Sequence, residues 1–187
     1  MDEEIKTAVD FLKKGGVILY PTDTIWGLGC DATNEEAVRK IYAIKQRTDE
    51  KSMLVILDSP DKLPEYVEQV PDIAWNIIEV TDKPLTIIYP GAQQLAKNLL
   101  AEDGSIGIRI THDEFCRKLV RSLKRPVVST SANISGKPWP ADFSKIGPEI
   151  VSQVDYVVKH RQDDKKQGKP SGIIKLGVNG EVKVIRE

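Results

Sequence analysis

At 187 residues, with 40% hydrophobic and 29% charged residues, the chain has the length and composition of one folded domain with a substantial core. A formal net charge of −1 excludes a chain drawn as a whole to nucleic acid or to an anionic membrane surface, so any anion site must be a local cluster. Cys30 and Cys116, with His112 and His160, have no zinc-ligand spacing, and no apolar run approaches the roughly 20 residues that span a bilayer. The expected compartment is a reduced cytoplasm, without a membrane partner.

Ile5, Val9 and Leu12 recur at helical spacing, widened by Ala8 and Phe11, until Gly15 and Gly16 stop the helix. The acidic, amphipathic start of the chain does not read as a signal peptide. "VILY" predicts a buried strand ended by Pro21, and Asn34 can cap a helix through Ile44 that turns Ala37, Ile41 and Ile44 inward. "MLVIL" at 53–57 reads as the next strand, followed by two short helices near 60–69 and 71–80. "PLTIIYP" at 84–90 is a strand bounded by prolines. "SIGIRIT" at 105–111 alternates Ile106, Ile108 and Ile110 against Gly107, Arg109 and Thr111, which predicts one buried and one polar face. A helix over 112–123, the strand "PVVS" and three further strands in "DYVVK", "SGIIKL" and "EVKVIR" complete the pattern. "HRQDDKKQGKP" has no apolar residue to bury, so about 159–170 is expected to be an exposed, flexible loop. With no internal repeat and no linker, residues 1–187 read as a single α/β domain.

Three stretches crowd polar residues just past apolar strands, where open α/β sheets gather ligands. In "YPTDTIWGLGCDA", Thr22 and Thr24 offer hydroxyls, Gly27 and Gly29 permit close backbone approach, and the following helix offers free N–H groups. "KQRTDEK" sets Lys45, Arg47 and Lys51 within seven residues, a fork and two point charges suited to phosphate or carboxylate, or simply a solvated helix end. "VVSTSANISGKP" follows its strand with Ser129, Thr130, Ser131, Asn133 and Ser135, a run that makes either a hydrogen-bonded turn or a ligand cradle. Arg109 either reaches solvent or crosses a cleft to hold a carboxylate. Ser171 opens a strand and Arg186 ends one. No G-x-x-x-x-G-K phosphate loop, full G-x-G-x-x-G or G-x-S-x-G elbow is present. Hydroxyls, an amide and cations without a nucleophile suit a reaction whose substrates bring their own.

Taken together, "YPTDTIWGLGCDA", "KQR", "SIGIRI", "STSANISGKP" and "KPSGII" resemble the ordered motifs of the YrdC-like family of threonylcarbamoyl-adenylate synthases, in its single-domain form. The resemblance runs from residue 7 to 186. It implies a curved mixed β-sheet flanked by helices around a concave basic cleft. It also implies a nucleotidyltransferase that condenses L-threonine, bicarbonate and ATP into threonylcarbamoyl-adenylate and pyrophosphate. Other proteins, the tRNA threonylcarbamoyltransferases, then carry the group to adenosine 37 of tRNA. Carried over by motif, Thr24, Arg109, Ser131 and Ser171 hold threonine. Lys45, Arg47, Lys51, Ser105, Asn133 and Arg186 line the nucleotide, with Lys45 and Arg47 catalytic and Mg²⁺ arriving with ATP. No protein side chain is identified as a metal ligand. The chain departs from the family pattern at Thr48, Ile56 and Ala141, and the alternative is a paralogue that acts mainly by binding RNA, a contact that could also accompany synthesis as a weak one.

Overall fold

A computed structural model describes residues 1–47, 53–165 and 168–187. Helix α1 (Asp2–Lys13) leads into strand β1 (Ile18–Tyr20), which turns back antiparallel as β2 (Gly27–Gly29). Next come α2 (Glu35–Ile44), β3 (Leu54–Leu57), the short α3 (Leu63–Tyr66) and α4 (Asp72–Val80). The chain continues through β4 (Leu85–Tyr89), β5 (Ile106–Ile110), α5 (Glu114–Leu123), β6 (Val127–Ser131), α6 (Pro148–Val151) and β7 (Tyr156–Val157), and closes with β8 (Gly172–Leu176) and β9 (Val182–Arg186). Among the described residues these strands form one mixed sheet in the order β7-β1-β2-β6-β3-β5-β4-β8-β9.

Alternation along the central strands divides the core in two. Val17, Leu19, Val55, Leu57 and Val128 pack against α2. Ile18, Tyr20, Ile56 and Val127 face the other way, into a cluster with Ile5, Val9 and Leu12 of α1 and Phe115, Leu119 and Val120 of α5. Cys30 and Cys116 are both buried and unbridged.

The second face carries the polar row that matters. Pairing aligns Ile56, Arg109, Thr86, Ile173 and Arg186 side by side across β3, β5, β4, β8 and β9. The next row sets Ser129 beside Leu54. The polar face expected for β5 is therefore turned inward and not toward solvent. Gly107, Arg109 and Thr111 are buried as fully as Ile106 and Ile108, because the strand is central and covered on both sides.

The opening segment also differs from a strand–loop–helix reading. Gly27 and Gly29 belong to a strand, and their lack of a Cβ serves sheet packing. At Gly29 a Cβ would meet the Tyr20 ring at 2.6 Å and the Val128 carbonyl at 2.9 Å. Tyr20 fills that space and donates its hydroxyl to the Val128 carbonyl at 3.1 Å. Gly29→Ala is expected to lower unfolding stability by about 2 kcal/mol through overpacking. A urea titration should show a lower midpoint at unchanged slope.

Candidate active site

The hydroxyl-rich loop between β1 and β2 is folded by one threonine and presents the other. Thr22 Oγ1 accepts from the Thr24 amide at 3.0 Å, donates to the Ile25 carbonyl at 2.6 Å and lies 2.9 Å from Thr24 Oγ1. Thr24 is thereby placed on the walls of two adjoining cavities. The smaller, about 190 Å³, is lined by Thr24, Arg47, Arg109, Ser131, Ser171 and Arg186, together with Met53, Ser129 and Trp139. The larger, about 730 Å³, shares Thr24, Ile25 and Pro170 with it and adds Asp23, Trp26, Ala141, Arg161 and Lys169. Six of the ten side chains singled out from sequence thus share one hollow.

Arg109 occupies its centre. Its guanidinium is almost wholly buried, and Nη2 lies 3.1 Å from Asp23 Oδ1. That ion pair makes no hydrogen bond, and Nε and Nη2 have no hydrogen-bond partner among the described residues. Nε and Nη2 form the edge of the fork that grips a carboxylate through two parallel bonds. Asp23, whose other oxygen accepts from Thr111 Oγ1 at 3.3 Å, was not among the residues picked from sequence. Its signal was a carboxylate between two threonines directly after a strand.

Ser171 Oγ lies 2.8 Å from Thr86 Oγ1, and its carbonyl accepts from Arg186 Nε at 3.0 Å and Nη2 at 2.8 Å. Desolvation and then the Arg109 charge lower the proton affinity of Arg186, as expected for two guanidiniums in the same cross-strand row.

Lys45 and Arg47 come from the end of α2. Gln46, at φ +50°, donates its amide to the Ala43 carbonyl, and the Arg47 amide reaches the Tyr42 carbonyl. This Schellman turn closes the helix and reverses the chain. It sends Arg47 to the cavity wall, its Cζ 6.0 Å from the Tyr42 ring centre. The carboxyl end of α2 therefore faces the site, whereas its amino terminus, capped by Asn34 on the Ala37 amide, does not line it.

Lys45 was expected to face phosphates. Its ammonium is instead folded behind the wall, 2.6 Å from the Ser131 carbonyl and 2.9 Å from the Asn133 carbonyl. The cause is local: the side chain leaves the helix cap pointing across the end of β6. Asn133 is likewise off the wall, with Oδ1 3.3 Å from the same ammonium and its amide donating to the Lys137 carbonyl. Ser105 also lies apart. It sits four residues before Arg109, about 13 Å along a strand, and is tied to Asp103 Oδ1. Lys51 and Thr48 lie outside the described residues. Ile56 is buried in the α1–α5 cluster, and Ala141 belongs to the larger cavity.

The start of the segment expected to be an exposed, flexible loop makes side-chain contacts. His160 stacks on Phe115 with ring centres 5.4 Å apart, Arg161 Nη1 pairs with Asp113 at 2.9 Å, and Lys165 approaches Asp142. Its end lies directly over the threonine loop: a Cβ on Gly168 would sit 1.6 Å from the Thr24 carbonyl.

A family model, Sua5/YciO/YrdC, described as telomere recombination, matches residues 10–187. The chain belongs to this family. The threonylcarbamoyl-AMP synthase of Pseudoalteromonas translucida is 34% identical over 181 residues, covering 95% of each chain. The protein of the same name from Vibrio cholerae serotype O1 is 32% identical over 173 residues, covering 91% of this chain and 88% of that one. E. coli YciO matches with a TM-score of 0.86 at 27% identity, over 100% of this chain and 90% of that one. P. abyssi Sua5 complexed with L-threonine shares the fold, with a TM-score of 0.81 at 24% identity, and the chain spans 50% of that protein's length. The mixed α/β sheet flanked by helices is thus the family's fold.

Among the described residues no three of His, Cys, Asp and Glu lie close enough together to hold a metal ion.

The buried Lys45 gives the site a pH signature. Burial first, then the Arg47 charge, pushes its pKa down to about 8. Between there and the ordinary lysine value, the unfolded chain holds a proton that the folded chain has lost, so folding stability from this group rises with pH. Urea midpoints of wild type and Lys45→Met should diverge in that window, with the rise above pH about 8 present in the wild type and flattened in the variant.

Proposed function

We propose that the chain condenses L-threonine, bicarbonate and ATP into threonylcarbamoyl-AMP, releasing pyrophosphate. The observation that carries this reading is the buried Arg109 fork, whose Nε–Nη2 edge has no hydrogen-bond partner among the described residues, in a cavity that also presents Thr24, Ser131, Ser171, Arg47 and Arg186. The names of relatives that match over nearly their whole length support it.

In this reading the threonine carboxylate takes the Nε–Nη2 edge of Arg109, with Thr24, Ser131 and Ser171 placed to meet its other polar groups. The amine of threonine adds to the carbon of carbon dioxide, supplied by bicarbonate, and loses a proton to give an N-carboxylate. An oxygen of that carboxylate then attacks the α-phosphorus, and the bond to the β-phosphate oxygen breaks. Both reactants are anions. Arg47 and Arg186, on the same wall, offset their repulsion and the charge that gathers on the leaving pyrophosphate. The protein supplies position and charge, and needs no nucleophile of its own. Lys45 and Asn133 hold the end of β6 against α2 and so keep Ser131 in place. Lys51 and Ser105 rest on the motif resemblance alone. Gly168 to Pro170, laid over Thr24, shields the product from hydrolysis.

The product, passed to tRNA threonylcarbamoyltransferase proteins, serves the modification of adenosine 37. RNA binding as the main role is not favoured: a net charge of −1 offers little counterion release, and a salt titration should show at most a shallow slope. Among the described residues no helix is long and apolar enough to cross a membrane.

The test is direct. Purified protein with ATP, bicarbonate and labelled threonine should yield threonylcarbamoyl-AMP and pyrophosphate, with serine in place of threonine much poorer; absence of product ends the proposal. Arg109→Lys keeps the charge and loses the fork, and is expected to lower kcat/KM for threonine roughly thirtyfold, the worth of one charged hydrogen bond, with the KM for ATP little changed.

A further inference from the structure

Trp139 is half exposed, at 51%, yet it stands on the wall of the small cavity beside Arg47 and Arg109. The chain's other site tryptophan behaves differently: Trp26 is 7% exposed and packs on Phe143 with ring centres 4.8 Å apart. Among the described residues lining the small cavity, Trp139 is the one aromatic. The rest of that wall offers hydroxyls, guanidiniums and small aliphatic groups, which recognise phosphate and carboxylate and give a flat ring nothing to lie on.

Its placement is held from both sides. Pro138 and Pro140 flank it and restrict the backbone. The preceding turn is closed by Gly136 at φ +83° and by the Lys137 amide on the Ile134 carbonyl at 3.1 Å. The Ser135 amide donates to the Lys45 carbonyl at 2.9 Å, which fixes the turn to the same helix end that aims Arg47. An exposed indole on a restrained backbone, next to the cations that suit phosphates, is a stacking surface prepared before ligand arrives.

We propose that Trp139 is the platform on which the adenine ring packs, so that it sets the preference of the site for a purine nucleotide. This rests on the reading of the cavity as a nucleotide site. Arg47 and Arg186 take the phosphates, and the indole takes the base, whose large π-face gains more from stacking than a pyrimidine's. The contribution belongs to binding: an indole has no group that takes part in displacement at the α-phosphorus, so its loss appears in KM for ATP and leaves kcat nearly unchanged.

The experiment measures ATP, CTP and inorganic tripolyphosphate binding by calorimetry, without threonine, for wild type, Trp139→Ala and Trp139→Phe. ATP affinity is expected to fall about tenfold in Trp139→Ala and to return in large part in Trp139→Phe. The preference for ATP over CTP should shrink in the alanine variant. Tripolyphosphate, which has no base, should bind all three alike. Equal ATP affinity in wild type and Trp139→Ala overturns the proposal, as does a parallel loss of tripolyphosphate binding, which would mark a collapsed wall. The two readings separate cleanly. Tryptophan-dependent ATP binding without threonylcarbamoyl-AMP formation retains the platform and removes the synthase. Product formation with an unchanged KM for ATP in Trp139→Ala does the reverse.

Discussion

Arg109 is 2% exposed on β5, near the middle of the nine-stranded sheet, and a charge in that position is costly unless something answers it. Asp23 answers the charge at 3.1 Å but not the hydrogen-bonding valence of Nε and Nη2. The folded chain therefore carries a cation that is electrically balanced and geometrically unfinished. Two N–H groups in a fixed plane, withheld from bulk solvent, bind a carboxylate more strongly than the same groups on a surface. The rest of the site accommodates this one group. Gly107 leaves room on the same strand, where a Cβ would come within 3.1 Å of the Thr86 side chain. Thr86 in turn fixes Ser171, whose carbonyl holds Arg186. The cross-strand row does the assembling: strand pairing fixes which face each side chain takes, and a one-residue slip would turn Arg109 into the opposite core.

A second constraint comes from the end of α2. A helix must dispose of its last carbonyls, and here the Schellman turn at Gln46 does so while reversing the chain toward β6. Lys45 then donates to the carbonyls of Ser131 and Asn133 at the end of β6. Sequence proximity of Lys45 and Arg47 suggested two equivalent cations. Geometry splits them into a buried tie and a cavity-facing fork, because residues two apart on a turn point in different directions. The tie has its own consequence: an ammonium desolvated enough to titrate near pH 8 makes the integrity of that corner sensitive to pH in a way that Arg47 is not.

How much of this was legible in the letters follows from what each signal encodes. The helix and strand cores could be read because burial imposes a period, and Val17 to Tyr20 or Leu54 to Leu57 carry it plainly. Six of the residues named from the motifs line one cavity, although they come from a helix end, a loop and the starts, middles and ends of strands. Strand β2 could not be read: Gly27 and Gly29 look like turn chemistry, and only the Tyr20 ring and the β6 backbone, distant in sequence, explain them. The two-sided burial of β5 was hidden for the same reason, as alternation reports side chains and not what covers them. The contacts made by the segment from 159 lie beyond what composition reports. Arginine and histidine bury their stems and rings while counting as polar, so His160 on Phe115 and Arg161 on Asp113 were invisible to a hydrophobicity argument.

The strap from Gly168 to Pro170 joins these points. It crosses the threonine loop so closely that residue 168 can carry no side chain, since a Cβ would lie within bonding distance of the Thr24 carbonyl. Pro170 borders both cavities, and the next residue, Ser171, belongs to the Arg109 cluster. One stretch of backbone therefore roofs Thr24, borders both cavities and leads into Ser171, on the same cavity wall as Arg109. The strap lies where the two cavities meet, with Pro170 on the wall of each. The positions of Thr24 and Ser171 are in this fold a single structural problem, met by one glycine pressed against one carbonyl.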